Sequence, residues 1–119
     1  MSTFDQIDGT AIDALAVVAG TKPGSTLLEE VVAAYMKATP PLLDVMRSSQ
    51  ETGDVDALRR AAHALKSSSA LVGAMALSEV CRQLEKTLVI DARSRDLASL
   101  AASQYEIVSR ELQRILNES

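Results

Sequence analysis

The sequence predicts an all-α protein, an antiparallel four-helix bundle with an additional short N-terminal helix. Three observations carry this. Apolar residues recur at three- and four-residue spacing through most of the chain. Gly and Pro number only 5 and 3, too few for the turns of a small all-β domain. Aromatics are 3% with no Trp, so the core must be built from Leu, Val, Ile, Met and Ala, which suit close-packed helices. At 119 residues the chain reads as one domain with one core, the bundle spanning about residues 10–116.

The short N-terminal helix is expected over residues 10–18, with Ile12, Leu15 and Val18 in register. Residues 20–24, Gly-Thr-Lys-Pro-Gly, break it. A second helix starts near Ser25 or Thr26, where Thr26 and Glu29 have capping-box spacing. Leu28, Val31, Val32, Tyr35 and Met36 form its stripe, and Leu42, Leu43 and Met46 resume it after Pro40 and Pro41. Those prolines either kink one long helix or open a new one.

Residues 48–53 are expected to be a loop, with Asp54 as N-cap of the third helix. That helix carries Leu58, Ala61, Leu65 and Val72 and ends near Gly73. A fourth shows Leu77, Val80, Cys81, Leu84 and Leu88 at helical spacing. Residues 91–96 are polar and expected to be a loop. The last helix, residues 96–116, turns Leu97, Leu100, Ile107, Val108, Leu112 and Ile115 inward.

Composition excludes several function classes. A net charge of −4 and a pI near 4.9 argue against a general nucleic-acid binder, which needs excess cations to displace counterions. The single cysteine, Cys81, makes neither an internal disulfide nor by itself a zinc site, and it predicts a reducing, cytoplasmic setting. The opening residues lack a basic region followed by an apolar run, so no leader is expected. The longest apolar stretch, residues 14–19, falls far short of the roughly 20 residues that span a bilayer. No direct membrane binding is expected. No Gly-rich phosphate loop and no metal cluster are visible.

The chemistry concentrates around His63, the only histidine. At about 100° per residue, Leu58, Ala61, Leu65 and Val72 share one side of the third helix, and His63 falls opposite. Arg59 lies one turn before it, Lys66 and Ser67 one turn after, and Ala70 a turn further. Residues 55–75 carry three bases (Arg59, Arg60, Lys66) against one acid (Asp56), the one net-positive stretch of an acidic chain. An imidazole on such a surface is a nucleophile near neutral pH. If His63 accepts a phosphoryl group, Lys66 three residues on can place its ammonium beside the phosphoryl oxygens and offset their charge. Ser67 and Ala70 are small enough to leave the ring open to a partner, and Ser67 and Ser68 have hydroxyls for a phosphoryl oxygen or the helix backbone. Set against this, a lone surface His or Lys is usually just solvated, Arg59 and Arg60 are ordinary surface charges unless they dock a partner, and Cys81 reads as a small core residue.

From His63 the segment reads His-Ala-Leu-Lys66-Ser-Ser-Ser69-Ala-Leu-Val-Gly73-Ala. It resembles the signature of histidine-containing phosphotransfer (HPt) domains, in which a His, a Lys three residues on, small residues and a Gly follow at this spacing. The His-x-Leu-Lys element alone is short. Its place on the exposed face of the third bundle helix makes the match specific. The approach Gly53-Asp54 with residues 58–63, and the pattern Leu77, Cys81, Leu84, Glu85 after it, extend the resemblance over residues 10–116.

The resemblance implies a phosphoryl carrier that relays phosphate between receiver-domain aspartates through a phosphohistidine at His63. It implies no kinase activity, no ATP site and no cofactor, with Mg2+ held by the partner receiver. Partners would be response-regulator receivers and a hybrid sensor histidine kinase, met by a monomer. Arg59, Arg60, Ser67, Ser68, Ala70 and Gly73 would serve the docking face or its close approach. Two departures stand out. Ser67 occupies a position commonly Gly, and Glu85 falls where some members carry a Gln facing the histidine, while Gln83 points elsewhere. A carboxylate there repels phosphate, so Glu85 is not expected to be a phosphate ligand. Two other classes remain as alternatives: a bundle that docks receivers without being phosphorylated, and an enzyme using His63 as general base, for which Ser67 is the one candidate nucleophile on that face.

Overall fold

The structure, a computed structural model, describes residues 26–117. Four helices make up most of them: α1, Thr26–Thr52; α2, Val55–Leu71; α3, Met75–Glu85; and α4, Ala92–Asn117. There is no strand among the described residues. The helix expected over residues 10–18, the break at 20–24 and Ser25 lie outside them. Each helix packs on the next, and α4 returns to α1, closing a helical bundle.

The core follows the predicted stripes. Leu28, Val32, Tyr35 and Met46 of α1 are buried with Leu58, Ala61 and Leu65 of α2, Val72 just beyond it, and Leu77, Val80, Cys81 and Leu84 of α3. Ala101, Val108 and Leu112 complete it from α4. Inside, Tyr35 Oη and Ser69 Oγ lie 2.8 Å apart, pairing two polar groups that burial would otherwise penalise.

α1 runs through Pro40 and Pro41 as one helix. The loop expected at residues 48–53 is instead the last turn of α1 and one glycine. The polar side chains there fold back on their own helix: Ser49 Oγ donates to the Met46 carbonyl at 2.9 Å, and Ser48 and Gln50 do likewise to Val45 and Met46. Gly53, at φ 75°, then turns the chain. Asp54 caps α2 as predicted, its Oδ1 accepting from the Ala57 amide at 3.0 Å.

Gly73 ends α2 at φ 82°. Its amide donates to the Ala70 carbonyl, and the Ala74 amide reaches back to Ser69, the paired bonds of a Schellman turn. α4 begins at Ala92, four residues earlier than expected. Asp91 and Ser94 cap it reciprocally, Ser94 N donating to Asp91 Oδ1 at 2.9 Å and Asp91 N to Ser94 Oγ at 3.0 Å. Ser94 Oγ also donates to Gln50 Oε1 of α1. The polar residues read as a loop are therefore a capped helix start. Two apolar expectations fail as well. Leu88 lies beyond the end of α3 and is exposed, and Leu100 faces outward while Ala101 takes the core position.

Candidate functional site

The site lies where α2 meets α3. His63 sits on the outer face of α2, opposite Leu58 and Leu65, with its side chain 64% exposed. α3 runs alongside because Leu77, Val80, Cys81 and Leu84 pack against the bundle core. This packing places the last residue of α3, Glu85, against the histidine. Ser78 Oγ, which donates to the Lys66 carbonyl at 3.0 Å, ties the two helices one turn further along.

Glu85 divides its two oxygens between the two residues the sequence singles out. Oε2 is 3.2 Å from His63 Nδ1. Oε1, closed off from solvent, faces the Lys66 ammonium at 2.7 Å. Arg59 adds a third link, its Nε donating to the Glu85 main-chain carbonyl at 2.9 Å. Lys66 first, and His63 after it, hold the Glu85 carboxyl below the ordinary carboxylate range, against the opposing pull of desolvation. Glu85 is thus an anion at neutral pH and accepts hydrogen bonds only. Nδ1 must then be the protonated nitrogen of a neutral His63, and Nε2 carries the lone pair. Among the described residues Nε2 has no protein partner.

The remaining sequence-predicted residues separate into groups. Ser67, Arg59 and Arg60 are exposed, and Ala70 and Ser68 are half-buried. Ser68 Oγ bonds the Leu65 carbonyl of its own helix. Gly73 is buried and belongs to the turn that ends α2, so it is no part of the exposed face around His63. Gln83 does point away, its amide bonding Glu79. Sequence reasoning placed Glu85 beside the site but missed that it joins His63 to Lys66. The available signal was spacing: Ser78 and Glu85 are seven residues apart, two turns along the α3 face that meets Lys66. No cluster of metal-ligating side chains occurs among the described residues, and no described helix is long and apolar enough to cross a membrane.

The Hpt domain family matches residues 30–118, well over half of the chain. The chain belongs to the Hpt domain family. Hpt domains are phosphotransfer modules of two-component phosphorelays rather than kinases, and a carrier role in a phosphorelay comes with that membership. In fold, the chain is similar to the histidine-containing phosphotransfer protein B (HptB) from Pseudomonas aeruginosa PAO1, with a TM-score of 0.83, 20% identity, and 96% of each chain covered. No curated protein sequence matches it.

Proposed function

We propose that His63 is the residue that carries the phosphoryl group, through Nε2, between aspartates of response-regulator receivers. The observation that supports this most is the split Glu85 carboxylate, which holds Nδ1–H at 3.2 Å and leaves Nε2 without a protein partner on a side chain that is 64% exposed. In the forward step the Nε2 lone pair attacks the phosphorus of an aspartyl phosphate. The N–P bond forms, the P–O bond breaks, and the electron pair leaves with the aspartate carboxylate. The Nδ1 proton stays, hydrogen-bonded to Glu85, so the cationic imidazole formed in the step faces an anion. Donation to the next aspartate is the reverse. Lys66, within reach of the same site, offsets phosphoryl charge.

The bundle is antiparallel, and the domain acts as a cytoplasmic monomer. Mg2+ and the catalytic acids belong to the receiver, and a hybrid sensor kinase stands upstream. Ser67 and Ala70 leave room for the receiver, and Arg59 and Arg60 face its acidic site.

Incubation with phosphorylated receivers and label transfer to wild type and His63→Gln test this. Wild type should gain label that is stable in base and lost in acid, as a phosphoramidate is, and His63→Gln should gain none. If wild type stays unlabelled with every phosphorylated receiver of its host, a docking module that is never phosphorylated is the surviving reading.

A further inference from the structure

Leu88 and Val89 are the most exposed large apolar residues among those described, at 83% and 61%. Single exposed hydrophobics are ordinary, but these two are adjacent in the loop between α3 and α4. That loop is held at both ends. The Lys86 and Thr87 amides still bond back to Gln83 and Leu84, Ile90 packs against the core, and the Asp91 amide is taken by Ser94. The loop therefore presents Leu88 and Val89 outward from fixed ends, and folding gains nothing from their exposure.

We infer that Leu88 and Val89 form an apolar anchor for the receiver domain that exchanges phosphoryl with His63, an inference that rests on the carrier reading. The first reason is distance. Glu85 touches His63, and Leu88 and Val89 follow it by three and four residues, at most about 11 and 14 Å of chain. The true span is shorter, because the first two remain coiled. A specific partner buries about 800 Å² on each side, a disc of roughly 16 Å radius, so a receiver centred on His63 reaches this loop. The second reason is composition. Interfaces surround an apolar core with a polar, solvent-accessible rim. Here Lys86 borders the pair and Arg59, bonded to the Glu85 carbonyl, lies on the same side of α2. These cations suit the acidic rim of an aspartate acceptor site, and Leu88 and Val89 add an exposed apolar contact beside them.

The test compares wild type with Leu88→Ser/Val89→Ser and with Leu88→Ala, after circular-dichroism melting confirms that each is folded. Two phosphoryl donors are used: the host's receiver domains, phosphorylated with acetyl phosphate and Mg2+, and phosphoramidate, which needs no docking. The expected result is an apparent KM for the receiver raised roughly tenfold or more in the double variant, less in Leu88→Ala, with the saturating rate and the phosphoramidate labelling unchanged. Unaltered receiver kinetics would overturn the inference while leaving the carrier reading standing. Loss of labelling with both donors would also overturn it, because the loop would then act on His63 itself. So would a wild-type dimer in sedimentation that the double variant abolishes, since a second copy would be the occupant. Failure of wild type to accept phosphoryl from any receiver removes the carrier reading, and this inference with it.

Discussion

Tyr105 of α4 donates its hydroxyl to the main-chain oxygen of Met36 in α1 at 3.1 Å. Met36 is four residues before Pro40, and Pro40 has no N–H to give it. The carbonyl left without its helical donor is thus served from the neighbouring helix, and Thr39 adds a bond from Oγ1 to the Tyr35 oxygen at 2.6 Å. Met36 thus keeps a partner where α1 runs on through Pro40.

Tyr105→Phe removes that donor and keeps the ring contact with Tyr35. It should cost about 1 kcal/mol, a fall of roughly 3–5 °C in Tm. The loss should vanish in a Pro40→Ala background, where the helix supplies its own donor. A double-mutant cycle by urea unfolding reads the coupling, and a coupling of zero would disprove the pairing.

Burial raises the Cys81 thiol from 9.0 to about 12, with the Glu85 charge adding to it. Burial likewise raises the Tyr35 phenol from 10.0 to about 12. In both cases the folded state holds the proton more tightly. Their stabilising contribution is therefore whole below the unfolded values and is lost as pH rises through the folded ones. Urea midpoints should hold steady up to about pH 8.5 and fall steadily from there toward pH 12. Cys81 should resist a thiol reagent at pH 8 until the protein is unfolded. Rapid labelling of the native protein would contradict its place in the core.

What the sequence made legible follows from what each signal depends on. The core stripes of α2 and α3 were readable because helical periodicity is local: Leu58, Leu65, Leu77 and Leu84 all lie where spacing put them. The exposed face of His63 followed from the same arithmetic. The ends of α1 and α4 were misread because Ser48, Ser49, Gln50 and Ser94 look like loop residues. Their hydroxyls and amides satisfy helix carbonyls or caps instead, a choice made by bonds such as Ser94 to Gln50 between helices distant in sequence. The donor that replaces the missing Pro40 N–H is Tyr105, 69 residues from Met36, which no local pattern reveals. The Glu85 bridge needed the packing of α3 on α2.

Gly53 isolates one backbone term. Its φ is 75°, and an added Cβ would meet nothing within 4 Å. Gly53→Ala should therefore cost only the left-handed strain, about 1 kcal/mol, and Gly53→Asn should cost less, since Asn tolerates that region. Thermal melts of the two variants check the order. Equal losses would point to some contact other than backbone strain.

Glu85 is the residue on which the site turns, and its two contacts predict separable effects. Glu85→Ala frees Nδ1 and removes the counter-charge of Lys66, so the imidazole loses its fixed tautomer. Phosphotransfer should fall on the order of tenfold, and nitrogen NMR of the ring should show the Nδ1–H form losing population. Glu85→Gln keeps an acceptor for Nδ1–H but not the charge, so it should restore the tautomer and only part of the rate. Lys66→Ala should leave the tautomer in place and shorten the lifetime of the phosphorylated form. The pH sign follows from the lowered Glu85 carboxyl. Its contribution is present above the ordinary carboxylate pKa and is lost as pH falls through the depressed folded value. Carboxylate NMR should accordingly find Glu85 titrating below free glutamate, and further below it in wild type than in Lys66→Ala. A Glu85 that titrates at or above the value of the free amino acid would mean that the carboxylate does not hold Lys66 and His63 together in solution.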